Sequence, residues 1–241
     1  MDAHTPYFPP KDYSSFREPV NVTIGDGFAK ANINQSRIKK AYDESVKYLS
    51  DIYYDVFNDL RSDFDYIITL SDHGELLGEH GMWNHGYGLY PELAHIPLTI
   101  FGDGFDGIED SPVSILDVHK TIGELTNVSV DSRGQSLNTT KFEPQPRLTE
   151  YHGFLPGHEE QFERKKISRE IFDIHDIILR GVVDSEARYG YETPEGFIGA
   201  QHLEKLLEEL IEELSIKNID ESDEVELSDE IKDHLKDLGY A

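Results

Sequence analysis

An α/β fold is what this sequence predicts, and three consecutive stretches predict it. From Asn34 to Arg61 the apolar residues Ile38, Tyr42, Val46, Leu49, Ile52 (or Tyr53), Val56 and Leu60 recur every three or four positions, the period of an amphipathic helix. Directly after it, Asp65 to Leu70 is a short β-branched run, and Ile96 to Phe101 is a second. Both are of the kind that fills a buried parallel strand. Helix, strand, loop, strand is the order of α/β proteins, in which the helix lays its apolar stripe on a sheet.

The following elements continue that order. Ser111 and Pro112, followed by Val113, Ile115, Leu116, Val118, Ile122 and Leu125, predict a helix capped by Ser111 with proline in its first turn. Beyond it, Arg147 to Tyr151 and Ile174 to Val183 read as strands of a smaller C-terminal sheet, separated by a charged segment containing Gly157. Residues 202–214 and 228–238 read as acidic amphipathic helices, the second capped by Ser228 and stopped by Gly239. The expected division is a core over 1–140 and a C-terminal subdomain with acidic helices over 141–241.

Composition narrows the classes of function. With 241 residues and 37% hydrophobic content the chain can bury one sizeable core. Asp and Glu number 48 against 22 Lys and Arg, a formal net charge of -26 that runs through the whole sequence. Such a surface repels nucleic acid and anionic lipid, and it suits a fold working where salt screens self-repulsion, so a halophilic source is expected. The chain has no Cys, which excludes disulfides, zinc–thiolate clusters and a thiol nucleophile. No apolar run reaches the roughly 18 residues of a membrane span. The opening MDAHTPYFPP has neither the basic nor the apolar region of a signal peptide, and the expected location is the cytoplasm.

The chemistry concentrates after the first predicted strand, which delivers Asp72 and His73 into a loop at the end where open α/β sheets place ligand sites. Adjacent Asp and His side chains offer a carboxylate oxygen and an imidazole nitrogen to one cation, and Gly74 allows a tight backbone turn behind them. Alone, an Asp-His-Gly triplet is more often a turn with a capping Asp than a ligand set. Here His80, His85, His95, Glu75, Glu79 and the only Trp follow within one short segment, a density unusual for core packing.

The stretch Asp72-His-Gly-Glu-Leu-Leu-Gly-Glu-His-Gly-Met-Trp83, then His85, then Leu89-Tyr-Pro-Glu and Ile96-Pro-Leu98, resembles the metal-binding segment of sulfatases in the alkaline phosphatase superfamily. A second segment, His4-Thr-Pro-Tyr7 followed by Pro9-Pro10, resembles that family's H-x-P-Y-x-P-P run. Weaker matches follow at Pro112 to His119, Gly134 to Leu137, Tyr151-His152-Gly153 and Leu238-Gly239-Tyr240. The resemblance implies an alkaline-phosphatase-like, mostly parallel sheet flanked by helices, with a small C-terminal sheet. It implies that Asp72 and His73 bind one divalent metal: calcium, or manganese or zinc given the Asp-His pair. It also places His4 on the sulfate and His85 on the sulfate or leaving-group oxygen.

The family's nucleophile is a Cys, converted to formylglycine, or a Ser in a C/S-x-P-x-R motif. This sequence has neither that motif nor any Cys, so formylglycine cannot form in it. The expectation is a truncated reading frame whose N-terminal strands are missing, from a hydrolase of small-molecule or sugar sulfate esters. A phosphate or phosphonate ester hydrolase of the same superfamily and an inactive remnant or binding module are the alternatives. Asp2-Ala-His4 with Gly102-Asp103 to Asp106 mimics calcineurin-like metallophosphoesterases, but the G-N-H-D/E motif and the spacing are lacking.

Overall fold

The structure, a computed structural model, describes residues 3–30, 32–108, 110–138, 142–155, 157–214 and 231. The helix expected at 228–238, its Ser228 and Gly239 ends, and the Leu238-Gly239-Tyr240 match lie outside the described residues, Ile231 apart. Elements follow in the order α1 (Ile24–Phe28), α2 (Gln35–Leu60), β1 (Ile67–Leu70), β2 (Leu76–Leu77), β3 (Trp83–Asn84), α3 (Pro91–Ala94), β4 (Leu98–Phe101) and α4 (Ile115–Leu125). Then come β5 (Arg147–His152), α5 (His158–Arg164), α6 (Arg169–His175), β6 (Ile178–Val183), β7 (Tyr189–Thr193), β8 (Gly196–Ile198) and α7 (Gln201–Glu213).

Helix α2 begins where the sequence predicts, with the Asn34 side chain accepting from the Arg37 amide. Its first half is buried: Ile38 and Ala41 join Tyr7, Val20, Val22 and Trp83 in one core cluster. Its second half is not, since Val46, Leu49, Ile52, Tyr53, Val56 and Leu60 are all exposed. The helix therefore lays only part of its stripe on a core. Further along, Tyr53 reaches the Thr69 hydroxyl at 3.0 Å and Phe57 meets Phe101 edge-on at 5.3 Å, so it borders β1 and β4 lightly.

The two β-branched runs are strands, but they are not parallel. β1 pairs with β4 antiparallel, Ile67 opposite Phe101 and Leu70 opposite Leu98. Every strand pair among the described residues is antiparallel, so the mostly parallel sheet is a correction for this part of the chain. The connection explains it: a parallel pair needs a crossover, usually a helix of a dozen or more residues. Between β1 and β4 lie the β2–β3 hairpin, a single 3-10 turn at Glu79–Gly81 and the four-residue α3, with no long helix.

The C-terminal sheet is four-stranded, in the order β5-β6-β7-β8. Ile174 belongs to α6 and not to a strand, because the Ser168 side chain caps a helix over Arg169–His175 and β6 starts at Ile178. Helix α7 covers one face, packing Leu203 and Leu207 on Val182. An ion cluster clips its start to the β6–β7 turn: Asp184 accepts from Arg188 at 2.7 Å and contacts His202 at 3.2 Å.

Helix α4 starts three residues later than expected. Ser114, not Ser111, is its cap, and Asp117 completes the reciprocal capping box. Asp117 is almost fully buried, at 1% exposure, and it does more than cap. It accepts from the amides of Ser114 and Gln135 and from the Arg147 guanidinium at 2.8 Å, tying α4 to β5. Replacing Asp117 with Ala leaves the mostly buried Arg147 guanidinium without its carboxylate and takes the side-chain acceptor from the Ser114 and Gln135 amides. The expected cost is about 3–5 kcal/mol of folding stability, read from the shift in the urea unfolding midpoint.

Candidate active site: three imidazoles beside Asp72

The segment that carries the chemistry is anchored by its own apolar residues. Leu76, Met82, Tyr87, Leu89 and Leu93 form a core cluster with Leu179 and Tyr191 of the C-terminal sheet. Trp83, 4% exposed, turns the other way into the cluster under α2. The density of this segment is thus partly core packing after all, and Trp83 is a structural residue. The backbone closes on itself where the Gly74 amide donates to the Leu93 carbonyl at 3.0 Å.

Gly74 is required for a reason other than turn geometry. A Cβ built there would lie 1.8 Å from the Glu92 carbonyl oxygen, far inside contact distance. The glycine lets β1's exit loop press against α3, which sets the position of Asp72 and His73.

Of the histidines in the segment, two do not join the site. His80 stacks on Tyr90 at 4.3 Å and pairs with Glu92 at 3.0 Å. His95 meets Tyr189 edge-on at 5.2 Å. Glu79 accepts from the Leu77 amide and faces Lys39. These contacts hold the loop and its neighbours.

The remaining residues do converge. His73 stacks on His85 with ring centroids 4.0 Å apart, and His4, brought in by the N-terminal arm, lies 4.9 Å from His85. That arm is pinned by Tyr7, fully buried, and by a two-way backbone pairing of Tyr7 with Val20. Residues far apart in sequence, His4, His73 and His85, thus share one place, as the motifs imply.

Their ring nitrogens are committed in the same way. His4 Nδ1 lies 2.5 Å from the Thr5 carbonyl, His73 Nδ1 lies 2.8 Å from the Gly74 carbonyl, and His85 Nδ1 lies 3.2 Å from Glu75 Oε2. Carbonyl and carboxylate oxygens only accept, so each Nδ1 carries a hydrogen and Nε2 is left as the working nitrogen of all three rings. His158, at the start of α5, is set the opposite way: its Nδ1 accepts from the Leu155 amide at 3.1 Å. Burial lowers its pKa below the usual histidine value, and nearby His85 adds to the shift, so it stays neutral.

Asp72 is largely exposed at the rim, with Oδ1 accepting from the His73 amide at 3.0 Å and Oδ2 3.7 Å from His73 Nε2. Two donors about 2.1 Å from one ion at a roughly tetrahedral angle stand about 3.4 Å apart, so the pair fits one edge of a divalent cation's shell. The Nδ1 bond to Gly74 is the kind of outer contact that orients a ligating imidazole. Among the described residues, no group of three or more His, Asp or Glu side chains is arranged to hold a metal. Asp72 and His73 therefore stand as a pair of donors at a spacing one cation could bridge.

A cleft of about 1810 Å³ opens beside this cluster, with Asp72, His73, His85, Arg147 and Tyr189 on its walls. His152 stands at the end of β5 as an exposed side chain, while Tyr151 turns inward and its hydroxyl points to the Gly86 carbonyl at 3.4 Å. Sequence reasoning missed Glu75 as a partner of His85 and missed His158. The first lies ten residues from His85 across a hairpin, and nothing in the sequence pointed to the second.

No protein-family model matches the chain. Curated proteins do. It is 27% identical over 243 aligned positions to the low-salt glycan biosynthesis sulfotransferase Agl7 of Haloferax volcanii, covering 86% of this chain and 60% of that one. It is 32% identical over 103 positions to a choline-sulfatase of Rhizobium meliloti, covering 41% of this chain and 20% of the other. The phosphoethanolamine transferase EptA of Salmonella typhimurium is 38% identical over 77 positions, 29% of this chain and 14% of that one. The chain thus spans less than two thirds of the length of these relatives. Together with the motifs, these similarities relate it to the sulfatase-like proteins of the alkaline phosphatase superfamily. Among the described residues no helix is long and apolar enough to cross a membrane.

Gly74→Ala tests the clasp behind Asp72 and His73. The methyl group has to displace the Glu92 carbonyl, so the variant is expected to lose about 1–3 kcal/mol of stability, measured by urea unfolding. Chemical-shift changes in its amide spectrum should centre on residues 72–75 and 90–95.

Proposed function

We propose that this chain supplies the metal-holding and leaving-group side of a sulfatase-like hydrolase site acting on sulfate esters. The observation that carries the reading is the convergence of His4, His73 and His85 with Nε2 as the working nitrogen of each ring. Asp72 and His73 would hold a divalent cation such as calcium, manganese or zinc. When bound, the cation polarises the sulfate oxygens and lowers the pKa of a nucleophile. With Nδ1–H held by its acceptor, a second proton at Nε2 would let His4 donate to a sulfate oxygen and His85 pass that proton to the departing ester oxygen, a task suited to imidazole near neutral pH. The family's C/S-x-P-x-R nucleophile has no counterpart in these 241 residues, so the reading assigns them no attacking group.

The exposed second half of α2 and the lightly covered β1–β4 pair support that reading. Phe64, Leu70 and Phe101 extend the same apolar surface, which is what a further layer of sheet would cover. A halophilic setting fits both the charge of -26 and the Haloferax relative.

Transfer instead of hydrolysis is a second reading, favoured by the relative that covers most of the chain, whose name is that of a sulfotransferase. The match to a phosphoethanolamine transferase keeps phosphate esters as the alternative substrate class.

The test is hydrolysis of p-nitrophenyl sulfate and p-nitrophenyl phosphate with manganese or calcium in molar KCl, with a glycan acceptor added in a parallel arm. The chain is expressed together with any coding sequence that precedes it. Expected is turnover of the sulfate ester that falls at least about 100-fold in Asp72→Asn and His85→Ala. Equal turnover in the variants, preference for the phosphate, or no turnover overturns the sulfate-ester reading.

A further inference from the structure

The three clustered imidazoles differ in what holds them. His4 and His73 are each held by a backbone carbonyl next to them in the chain. Of the three, only His85 has a carboxylate at Nδ1, that of Glu75 at 3.2 Å, whereas Asp72 stands 3.7 Å from His73 on its Nε2 side. We infer that Glu75 is the positioning residue of His85, an assignment that rests on the proposed role of His85 at the leaving group.

The surroundings of Glu75 make it a fixed partner. Its side chain is 7% exposed against 19% for His85, so the carboxylate cannot swing out to water. Leu76, the next residue, is 1% exposed in the core and fixes the backbone that carries it. The other carboxylate oxygen, Oε1, and the Tyr7 hydroxyl are both buried without a hydrogen bond. Burial, and then the charge of Glu75, push the Tyr7 phenol's pKa well above its ordinary value. Tyr7 lies on the same arm that brings in His4.

A carboxylate in this position does two things for the ring. It accepts from Nδ1–H and so selects the form that presents Nε2, and it stabilises positive charge on the imidazole while Nε2 carries a proton. A backbone carbonyl gives the first effect without the full second one. That singles out His85, of the three rings, as the one equipped to carry a proton to the departing oxygen, with His4 and His73 equipped to bind.

The test uses the full chain with ¹⁵N-labelled histidine, at mildly alkaline pH, and long-range ¹H–¹⁵N correlations that show which nitrogen of each ring is protonated. Expected is the Nδ1–H form for His85 in the wild type. It should persist in Glu75→Gln, whose amide oxygen still accepts, and give way to the Nε2–H form in Glu75→Leu, with His4 and His73 unchanged. An Nε2–H form in the wild type, or an unchanged His85 in Glu75→Leu, overturns the assignment. If the leucine variant does not fold, the wild-type spectrum still decides. In the ester assay, Glu75→Leu should lower kcat about 10–100-fold at nearly constant KM, with Glu75→Gln, which keeps the acceptor but not the charge, falling between it and the wild type. The tautomer measurement needs no turnover, so an inactive chain counts against the sulfatase reading and not against Glu75.

Discussion

The candidate site depends on one backbone clasp, the Gly74 amide on the Leu93 carbonyl, and on the close approach of Glu92 that only glycine permits there. That contact folds the segment after β1 back on itself. Asp72 and His73 are left at the rim, while Leu76, Met82, Leu89 and Leu93 go into the core. Trp83 and Tyr87 leave the segment in different directions, one toward α2 and one toward the C-terminal sheet. A loop with polar tips is in this way built as rigidly as a core element, which suits a site whose rings must keep their spacing.

The polar chemistry at the tip follows from that rigidity. A histidine in a mobile loop samples both neutral forms, whereas His4, His73 and His85 each meet a fixed acceptor at Nδ1. The acceptors have different origins: two backbone carbonyls and one buried carboxylate. The site therefore contains three rings presenting the same nitrogen, in a chain whose overall charge is strongly negative.

Much of this was legible in the sequence, for definable reasons. Asp72, His73, His85 and His4 lie in stretches where neighbouring residue types restrict each other, and the structure brings the three histidines together. Helix α2 was legible from its period and from Asn34. The direction of β1 and β4 was not, because a β-branched run encodes burial and not the orientation of its partner. The cap of α4 was misplaced because Ser111-Pro112 is itself a start signal. The better one was Ser114 with Asp117 three residues on, a capping box in plain view. The β7–β8 hairpin was overlooked although Thr193-Pro-Glu-Gly196 carries turn residues between aromatic strands. Glu75 was passed over because its partner lies ten residues away across a hairpin, a relation that linear spacing does not show.

The central claim is that Asp72 and His73 hold a cation next to the other two rings. Manganese titration of the ¹⁵N-histidine-labelled chain tests it most directly, because the ion broadens the signals of nearby rings. With a surface this acidic, weak manganese binding elsewhere is expected, so the comparison with Asp72→Asn carries the result. The account predicts that His73 broadens at the lowest manganese concentration of the eleven histidines, followed by His85 and His4, and that Asp72→Asn removes this selectivity. Broadening spread evenly over the histidines, or the same in wild type and variant, would contradict it.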